Sequence, residues 1–519
     1  MSATDLEKNE HEQDCYLDVS TSHSLTDGKS ESNVTQTSVP VKPTLFERVQ
    51  LFGSKFQMET RGIERVPESE RTDKSIWTMG SFWFACNLVV STISTGTIGI
   101  SVGMKFWDSL LCTIFFNALG AIPVAWFATF GPKYGLRQMP LSRFWFGYYG
   151  VKIFVVLNAI SCVGWSAINT IIAAQMLHSL SRNVLPSWAG ILIIIFLTFI
   201  VTLFGYKIVH AYMKYSWIPT TVIIFIVIAR LKISGSFTTG GALGSGSLEA
   251  GKVLSYGSAL FGSSAGWAPA ACDYVVYQPN TVRPWKIFLL TFLGVFVPLT
   301  FGNLVGLACM MGTFSNATYS QHFSDNGIGG LLYAILVPDS LNDFGRFCVA
   351  LLALSTVAGT CPGTYSFGLC MQSLCRVFYR VPRLVWTAIA SLLFLGVSIP
   401  AYYSFQEYME DFMGIMGYWD AAYIAIALYE HYVIIERKPA DQRYNFSFLT
   451  SAGLLPPGLA TLIAFASSVA GMVVGMSQTW WTGPLAEKVS GDIGFELTFG
   501  FSLLVYAIIR PLEYKKFGR

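Results

Sequence analysis

Two sets of side chains in this sequence are spaced to hold a flat, uncharged molecule. Trp165 and Asn169, in Cys162-Val-Gly-Trp-Ser-Ala-Ile-Asn169, stand four residues apart and share one face if the stretch is helical. A carboxamide offers two donors and an acceptor in one plane. That matches the edge of a heterocyclic base, and an indole is a platform for its flat face. An asparagine in hydrocarbon also bonds to neighbouring helices, so spacing alone leaves both roles open. Trp267 lies in Gly262-Ser-Ser-Ala-Gly-Trp-Ala-Pro269. Glycine and proline weaken or remove backbone hydrogen bonds that hydrocarbon cannot replace, so a helix through this stretch is expected to break. A break at membrane depth is tolerated where it lines an enclosed cavity, which makes Trp267 either core filler or part of a cavity wall.

Charge in a bilayer is costly, so each intramembrane acid is a functional candidate. Asp420, in Gly417-Tyr-Trp-Asp-Ala, is the deepest and is a candidate for coupling a proton. Asp273 and Glu430 stand near the ends of their segments, where anchoring or a loop partner competes with proton transfer. Ser355-Thr-Val-Ala-Gly-Thr-Cys-Pro-Gly-Thr-Tyr365 is another Pro/Gly-interrupted stretch. Its freed carbonyls could face a cation or a substrate, and a simple proline kink is the alternative. No catalytic set stands out: the histidines are scattered at His11, His23, His178, His210, His322 and His431, with no HExxH. No metal site, cofactor or enzymatic activity is expected.

The elements that must position these residues are membrane helices. The 519 residues are 53% hydrophobic and 13% charged, with a mean hydropathy of +0.49, too apolar for a soluble enzyme. The net charge of +3 forms no basic patch that would suggest nucleic acid. Cys86, Cys112, Cys162, Cys272, Cys309, Cys348, Cys361 and Cys370 fall in apolar segments without CxxC pairs, and read as small buried hydrophobes.

Twelve stretches are long enough to cross a bilayer: 76–99, 108–130, 148–178, 187–205, 208–230, 253–277, 285–311, 344–372, 384–402, 411–433, 454–477 and 490–511. One set of connections, with the C-terminal end, carries Lys133, Arg137, Arg143, Lys152, Lys207, Lys214, Arg283, Lys286, Arg376, Arg380, Arg383, Arg437, Lys438, Arg443, Arg510, Lys515, Lys516 and Arg519. The other set holds only Lys105, Arg182, Arg230, Lys232, Lys252, Arg346 and Lys488. The basic side faces the cytoplasm, which puts both termini there and places the Asn316-Ala-Thr318 sequon outside as a glycosylation candidate.

Residues 1–72 are polar and aperiodic and read as a disordered cytoplasmic tail, in which Lys8, Lys29 and Lys42 could accept ubiquitin. A core of ten helices over 73–433, a cytoplasmic loop over 434–453, accessory helices over 454–511 and a cytoplasmic end over 512–519 complete the expected organisation. Segment 1 contains Ser91-Thr-Ile-Ser-Thr-Gly-Thr-Ile-Gly99, crowded with small and hydroxyl residues, and the Trp267 stretch lies five segments later. An odd-numbered repeat is inverted in the membrane. The expected fold is therefore an all-α polytopic membrane protein of twelve transmembrane helices, a five-plus-five inverted repeat with broken helices 1 and 6 plus two accessory helices, the design of alternating-access carriers.

Tyr134-Gly-Leu-Arg-Gln-Met139 with Leu141-Ser-Arg143, Cys162-Val-Gly-Trp165, Phe204-Gly-Tyr206 with His210-Ala-Tyr212, Ala265-Gly-Trp267 through Asp273-Tyr274, Tyr333-Ala-Ile-Leu-Val-Pro338, Leu352-Ala-Leu-Ser-Thr356, Glu430-His431, Gly491-Asp-Ile-Gly-Phe-Glu-Leu497 and the ending Arg510-Pro-Leu-Glu with Lys516-Phe-Gly-Arg519 follow one another from about residue 60 onward. In these blocks the chain resembles the fungal purine-cytosine permeases of the nucleobase-cation symporters. The resemblance implies a plasma-membrane carrier taking up cytosine, adenine, guanine or hypoxanthine with protons. It implies Ser91, Trp165, Asn169 and Trp267 as site residues. Family members of this branch carry asparagines around the proline of helix 8, where this chain has Gly359, Thr360 and Gly363 and keeps Pro362 and Tyr365; Pro362 and Gly363 are carried as site residues with that departure. A related branch carries pyridoxine or other ring-bearing vitamins and is the main alternative. A non-transporting nutrient sensor is a more distant one. Sodium stays open as the coupling ion, because its sites in this fold use backbone carbonyls.

Overall fold

Apolar runs that cannot leave a backbone amide unpaired in lipid become helices throughout the computed structural model, which describes residues 62–73, 75–203, 206–439, 442–449 and 451–519. The chain order is α1 (Ile76–Asn87), α2 (Val90–Ser101), α3 (Phe106–Ala128), α4 (Gln138–Phe146), α5 (Val151–Leu180), α6 (Ser187–Leu203), α7 (Tyr206–Ile233) and α8 (Ser247–Ala265). A 3-10 segment (Ala268–Tyr274) follows, then α9 (Pro284–Gly312), α10 (Ala317–Leu336), α11 (Asn342–Leu374), α12 (Arg383–Ala401), α13 (Phe405–Tyr429), α14 (Leu459–Gly475) and α15 (Gly494–Phe517). The fold is that of an all-α polytopic membrane protein, with a helix or a broken helix in each of the twelve apolar stretches. Among the described residues seven helical stretches are long and apolar enough to cross a membrane, and the pair α1 and α2, bent by 51°, qualifies as an eighth; α6 and α14 are shorter apolar helices.

Both expected breaks are present, but the first is displaced. The chain leaves helical geometry at Leu88 (ψ 69°) and Val89 (φ −130°, ψ 166°), ahead of the small-residue run. Ser91–Gly99 itself is helical, because its hydroxyls bond carbonyls of their own helix: Thr95 Oγ1 to Ser91 O at 3.1 Å and Thr97 Oγ1 to Ser94 O at 2.8 Å. Its small residues serve packing instead. A Cβ on Gly96 would overlap the Asn303 carbonyl of α9, and one on Gly306 of α9 would overlap the Ile93 carbonyl. The other face of α2 meets α13 through sulfur: Ser94 Oγ donates to Met409 Sδ at 3.3 Å and Thr95 Oγ1 to Met413 Sδ at 3.8 Å, while Ser161 of α5 reaches Met416 Sδ at 2.9 Å.

The second break follows α8 at Gly266 and Trp267, within the expected stretch, and Pro269 opens the 3-10 segment that continues the chain. Helix α11 carries the remaining Pro/Gly stretch, for which the sequence leaves interruption and a proline kink both open. It runs unbroken from Asn342 to Leu374 with Pro362 inside it, so the glycines and proline there do not interrupt the helix. Thr360 Oγ1 to Thr356 O (2.9 Å) and Thr364 Oγ1 to Thr360 O (3.1 Å) bond along it.

Three further differences have local causes. Residues 62–72 are packed rather than part of a polar tail: Val66 N donates to Gly135 O at 2.8 Å, and buried Arg71 donates to Pro132 O at 2.9 Å and Val66 O at 2.9 Å. Lys8, Lys29 and Lys42 lie outside the described residues. Helix α10 occupies what the hydropathy pattern leaves as an outer loop; Asn316 caps it, and it is kinked at Asn326 and Gly327. Helix α15 extends to Phe517, past the expected end at 511. All eight cysteines of the apolar segments are buried and free.

Helices α13 and α15 are fastened by a buried ion pair. Arg510 donates to both carboxylate oxygens of Glu430, each at 2.9 Å, and Tyr506 donates to Glu430 Oε2 at 3.0 Å. Arg510 also reaches Glu513 Oε2 at 3.2 Å, while Glu513 Oε1 accepts from Gly458 N and Leu459 N and caps α14.

Candidate functional site

The two breaks face one cavity, with about 690 Å³ of empty space including the part open to solvent. Helix α1 and the first break contribute Cys86, Asn87 and Val89, and α2 contributes Ser91, Thr92 and Thr95. Asn158, Ser161, Cys162, Trp165 and Asn169 come from α5, Leu299 from α9, and Gly359, Gly363 and Ser366 from α11. Ser263, Gly266, Trp267, Ala270 and Tyr274 line it from α8 and the 3-10 segment.

The wall therefore brings together Ser91, Trp165, Asn169, Trp267 and Gly363 from four separate stretches. Asn169 Nδ2 donates to Trp165 O, one turn back, at 3.0 Å, which fixes the amide and leaves buried Oδ1 without a partner. A buried acceptor left unpaired costs about 1–3 kcal/mol, so this wall is suited to a ligand that brings a donor. Across from it α11 offers backbone: a Cβ on Gly359 would stand 3.1 Å from both Asn169 Nδ2 and Oδ1. Trp165 is held edge-on by Phe412, with ring centroids 5.5 Å apart. Trp267 packs edge-on against Trp83 at 5.6 Å and Tyr274 at 6.1 Å.

Pro362 is buried and contributes from behind the wall. Its carbonyl accepts from Tyr274 Oη at 2.9 Å, and the same phenol bonds Ser366 Oγ. Sequence reasoning missed Asn87, Asn158 and Tyr274. Asn87 and Asn158 carry the signal that would have found them, an amide inside an apolar segment. Asn87 Oδ1 accepts from Trp267 Nε1 at 2.8 Å, and Asn158 Nδ2 donates to Pro269 O at 3.3 Å and Cys370 Sγ at 3.1 Å.

The three acids fall into different surroundings. Glu430 is taken up by the Arg510 ion pair. Asp273 Oδ1 accepts from Gln138 N at 2.8 Å, its carbonyl accepts from Arg137 Nη1 at 2.7 Å, and Gln138 Oε1 accepts from Cys272 N at 3.1 Å. That set ties α4 to the 3-10 segment beneath the cavity. Asp420 has neither kind of partner: it is 0% exposed on α13, both carboxylate oxygens lack a hydrogen bond, and it stands off the cavity wall. Among the described residues no group of acids, cysteines or histidines is arranged for a metal. Asn316 uses its amide locally, with Oδ1 accepting from Thr318 N at 3.0 Å and Nδ2 donating to Ser236 Oγ at 3.2 Å.

The known proteins that this chain is similar to are membrane carriers. The sequence model of the family described as "Permease for cytosine/purines, uracil, thiamine, allantoin" matches residues 65–489. Purine-cytosine permease fcyB of Emericella nidulans is 43% identical over 499 residues, 96% of this chain and 97% of that protein. Purine-cytosine permease FCY2 of Saccharomyces cerevisiae is 43% identical over 475 residues, 90% of this chain and 88% of that one. Among solved structures, Mhp1, a nucleobase-cation-symport-1 family transporter in a closed conformation with bromovinylhydantoin bound, superposes with a TM-score of 0.65 over 89% of this chain and 97% of its own, at 14% identity. The Mhp1 likeness concerns the fold, and identity to the permeases extends over nearly the whole sequence. The chain thus belongs to the permease family for cytosine/purines, uracil, thiamine and allantoin, close to the fungal purine-cytosine permeases, and is a multi-pass membrane transporter and not an enzyme.

Proposed function

We propose that this permease imports purine bases and cytosine, namely adenine, guanine, hypoxanthine and cytosine, across the plasma membrane by proton symport, with both termini in the cytoplasm. The observation that carries the reading is the Asn169 amide, presented with an unpaired acceptor in a cavity at the helix breaks whose wall also holds two indoles. A nucleobase has two aromatic faces and an edge of N–H groups, so the ring stacks against Trp165 and Trp267 while its edge satisfies Asn169 Oδ1. Ser91 and the backbone at the breaks complete the contacts, and the glycine wall of α11 admits the ring without adding side-chain polarity. The similarity to the purine-cytosine permeases fcyB and FCY2 supports the same substrate class.

Transport then proceeds by rocking. The bundle of helices 1, 2, 6 and 7 (α1 with α2, α3, α8 with its 3-10 extension, and α9) turns against helices 3, 4, 8 and 9 (α5, α6, α11 and α12), opening the cavity to one side at a time. Asp420 is the proton carrier in this reading, as the one of the three acids whose carboxylate oxygens both lack a hydrogen-bond partner. Asp273 and Glu430 serve as anchors. The core spans 73–433, the loop 434–453 is cytoplasmic, and helices over 454–511 are accessory.

The test is uptake of labelled cytosine in a fungal strain lacking its own nucleobase carriers, at acid and neutral pH, with unlabelled adenine, hypoxanthine, uracil and pyridoxine as competitors. Saturable uptake that is stronger at acid pH and blocked by purines is the expected result. No cytosine uptake by a chain confirmed at the surface would overturn the substrate assignment, and displacement by pyridoxine alone would move it to ring-bearing vitamins. Uptake indifferent to pH but dependent on sodium would replace the coupling ion.

A further inference from the structure

We propose that Asn87 is a positioning residue for the Trp267 indole, and that its side chain joins the break between α1 and α2 to the break after α8. Asn87 is the last residue of α1, lines the cavity and is 2% exposed. Both ends of its amide are engaged: Nδ2 donates to Trp83 O at 2.8 Å, and Oδ1 accepts from Trp267 Nε1 at 2.8 Å. An indole N–H only donates and a carbonyl only accepts, so the orientation of this amide is dictated by its neighbours. A carboxylate supplies acceptors alone and an aliphatic side chain supplies nothing, so neither completes the pair. The backbone is held at the same point. Thr92 Oγ1 reaches across the break to donate to Asn87 O at 2.6 Å, occupying a carbonyl that the interrupted helix leaves free.

Two consequences follow from this geometry. With its N–H consumed, Trp267 offers a ligand its ring face and not a donor, so polar recognition falls to Asn169 and the backbone. The indole is also held on three sides, by Asn87, by the edge of Trp83 at 5.6 Å and by Tyr274 at 6.1 Å. Its plane is thereby set before a ligand arrives, which lowers the ordering cost of binding.

The inference rests on Trp267 being a wall of the transport cavity, and the experiment separates the two claims. KM and maximal rate of cytosine uptake are measured for the full-length chain, Asn87→Ala, Trp267→Phe and the double variant at matched surface levels. Loss of one buried hydrogen bond predicts that Asn87→Ala raises KM about tenfold, with a smaller change in maximal rate. Because both substitutions remove the same link, Asn87→Ala must cost at least about threefold less in the Trp267→Phe background than alone. Independent effects, or an unchanged KM, overturn the proposal. Amide hydrogen exchange of the purified proteins supplies a readout that needs no substrate: the segment 266–270 exchanges faster in Asn87→Ala, while α5 keeps its protection. Equal exchange overturns the proposal even if the unsubstituted chain carries no labelled base, a result that would sink the import reading by itself. Should Asn87→Ala fail to reach the surface, Asn87→Ser is used, with the same outcomes expected.

Discussion

In the proposed reading recognition turns on Asn169 and Gly359, one presenting an unpaired oxygen and the other the bare backbone that makes room for it. Asn169→Leu removes the acceptor and is expected to weaken nucleobase uptake at least about tenfold in KM, measured at matched surface expression. Gly359→Ala places a methyl 3.1 Å from both amide atoms and displaces the amide instead of deleting it. A severalfold rise in KM with normal surface levels is expected, since small overpacking costs on the order of 1–3 kcal/mol. Asp420→Asn keeps the shape of a buried group that has no partner to lose. Its surface level is therefore expected to hold while the ratio of acid to neutral uptake falls towards one; a ratio equal to that of the unsubstituted chain would remove Asp420 from coupling. At this scale the sequence was legible where chemistry and spacing coincide, as at Trp165 and Asn169. It was not legible at Asn87, whose partner stands 180 positions away and whose role exists only once the two breaks meet.

The helices were legible because hydrocarbon enforces them, and their irregularities were legible only in part. Gly266, Trp267 and Pro269 break the helix after α8 as glycine and proline dictate, whereas Pro362 sits inside a continuous α11, where hydroxyls of neighbouring threonines bond along the helix. The Ser91–Gly99 run looked like a break and is a packing face, because small residues serve both purposes and only the opposing helix decides between them. Gly96 and Gly306 test this. Gly96→Val or Gly306→Val forces a side chain into the facing backbone carbonyl, and the chain is expected to be retained inside the cell. Gly396→Ala on α12, with nothing within 4 Å of the added carbon, is expected to leave both surface level and uptake unchanged.

In the molecule as a whole, the buried pair of Arg510 and Glu430 fastens α15 to the end of α13. Removing one member of a buried pair strands the other charge and costs about 3–5 kcal/mol. Arg510→Met is thus expected to lower the melting temperature and the surface level, with partial recovery when Glu430→Gln is added. The order of the apolar stretches could be read from hydropathy alone, but the packing of 62–72 and the helix α10 could not. The first depends on bonds to residues far along the chain, Arg71 to Pro132 O and Val66 N to Gly135 O among them. The second is an ordinary amphiphilic stretch given its start by the Asn316 cap. The contrast between the two faces of α2 has a mechanical meaning. Towards α9 it is welded, backbone against backbone at Gly96 and Gly306, and cannot shear without a clash. Towards α13 it rests on Met409 and Met413, thioethers that bond weakly and re-pack easily. In the proposed rocking, the slip plane runs along the methionines, and α2 and α9 travel as one solid piece.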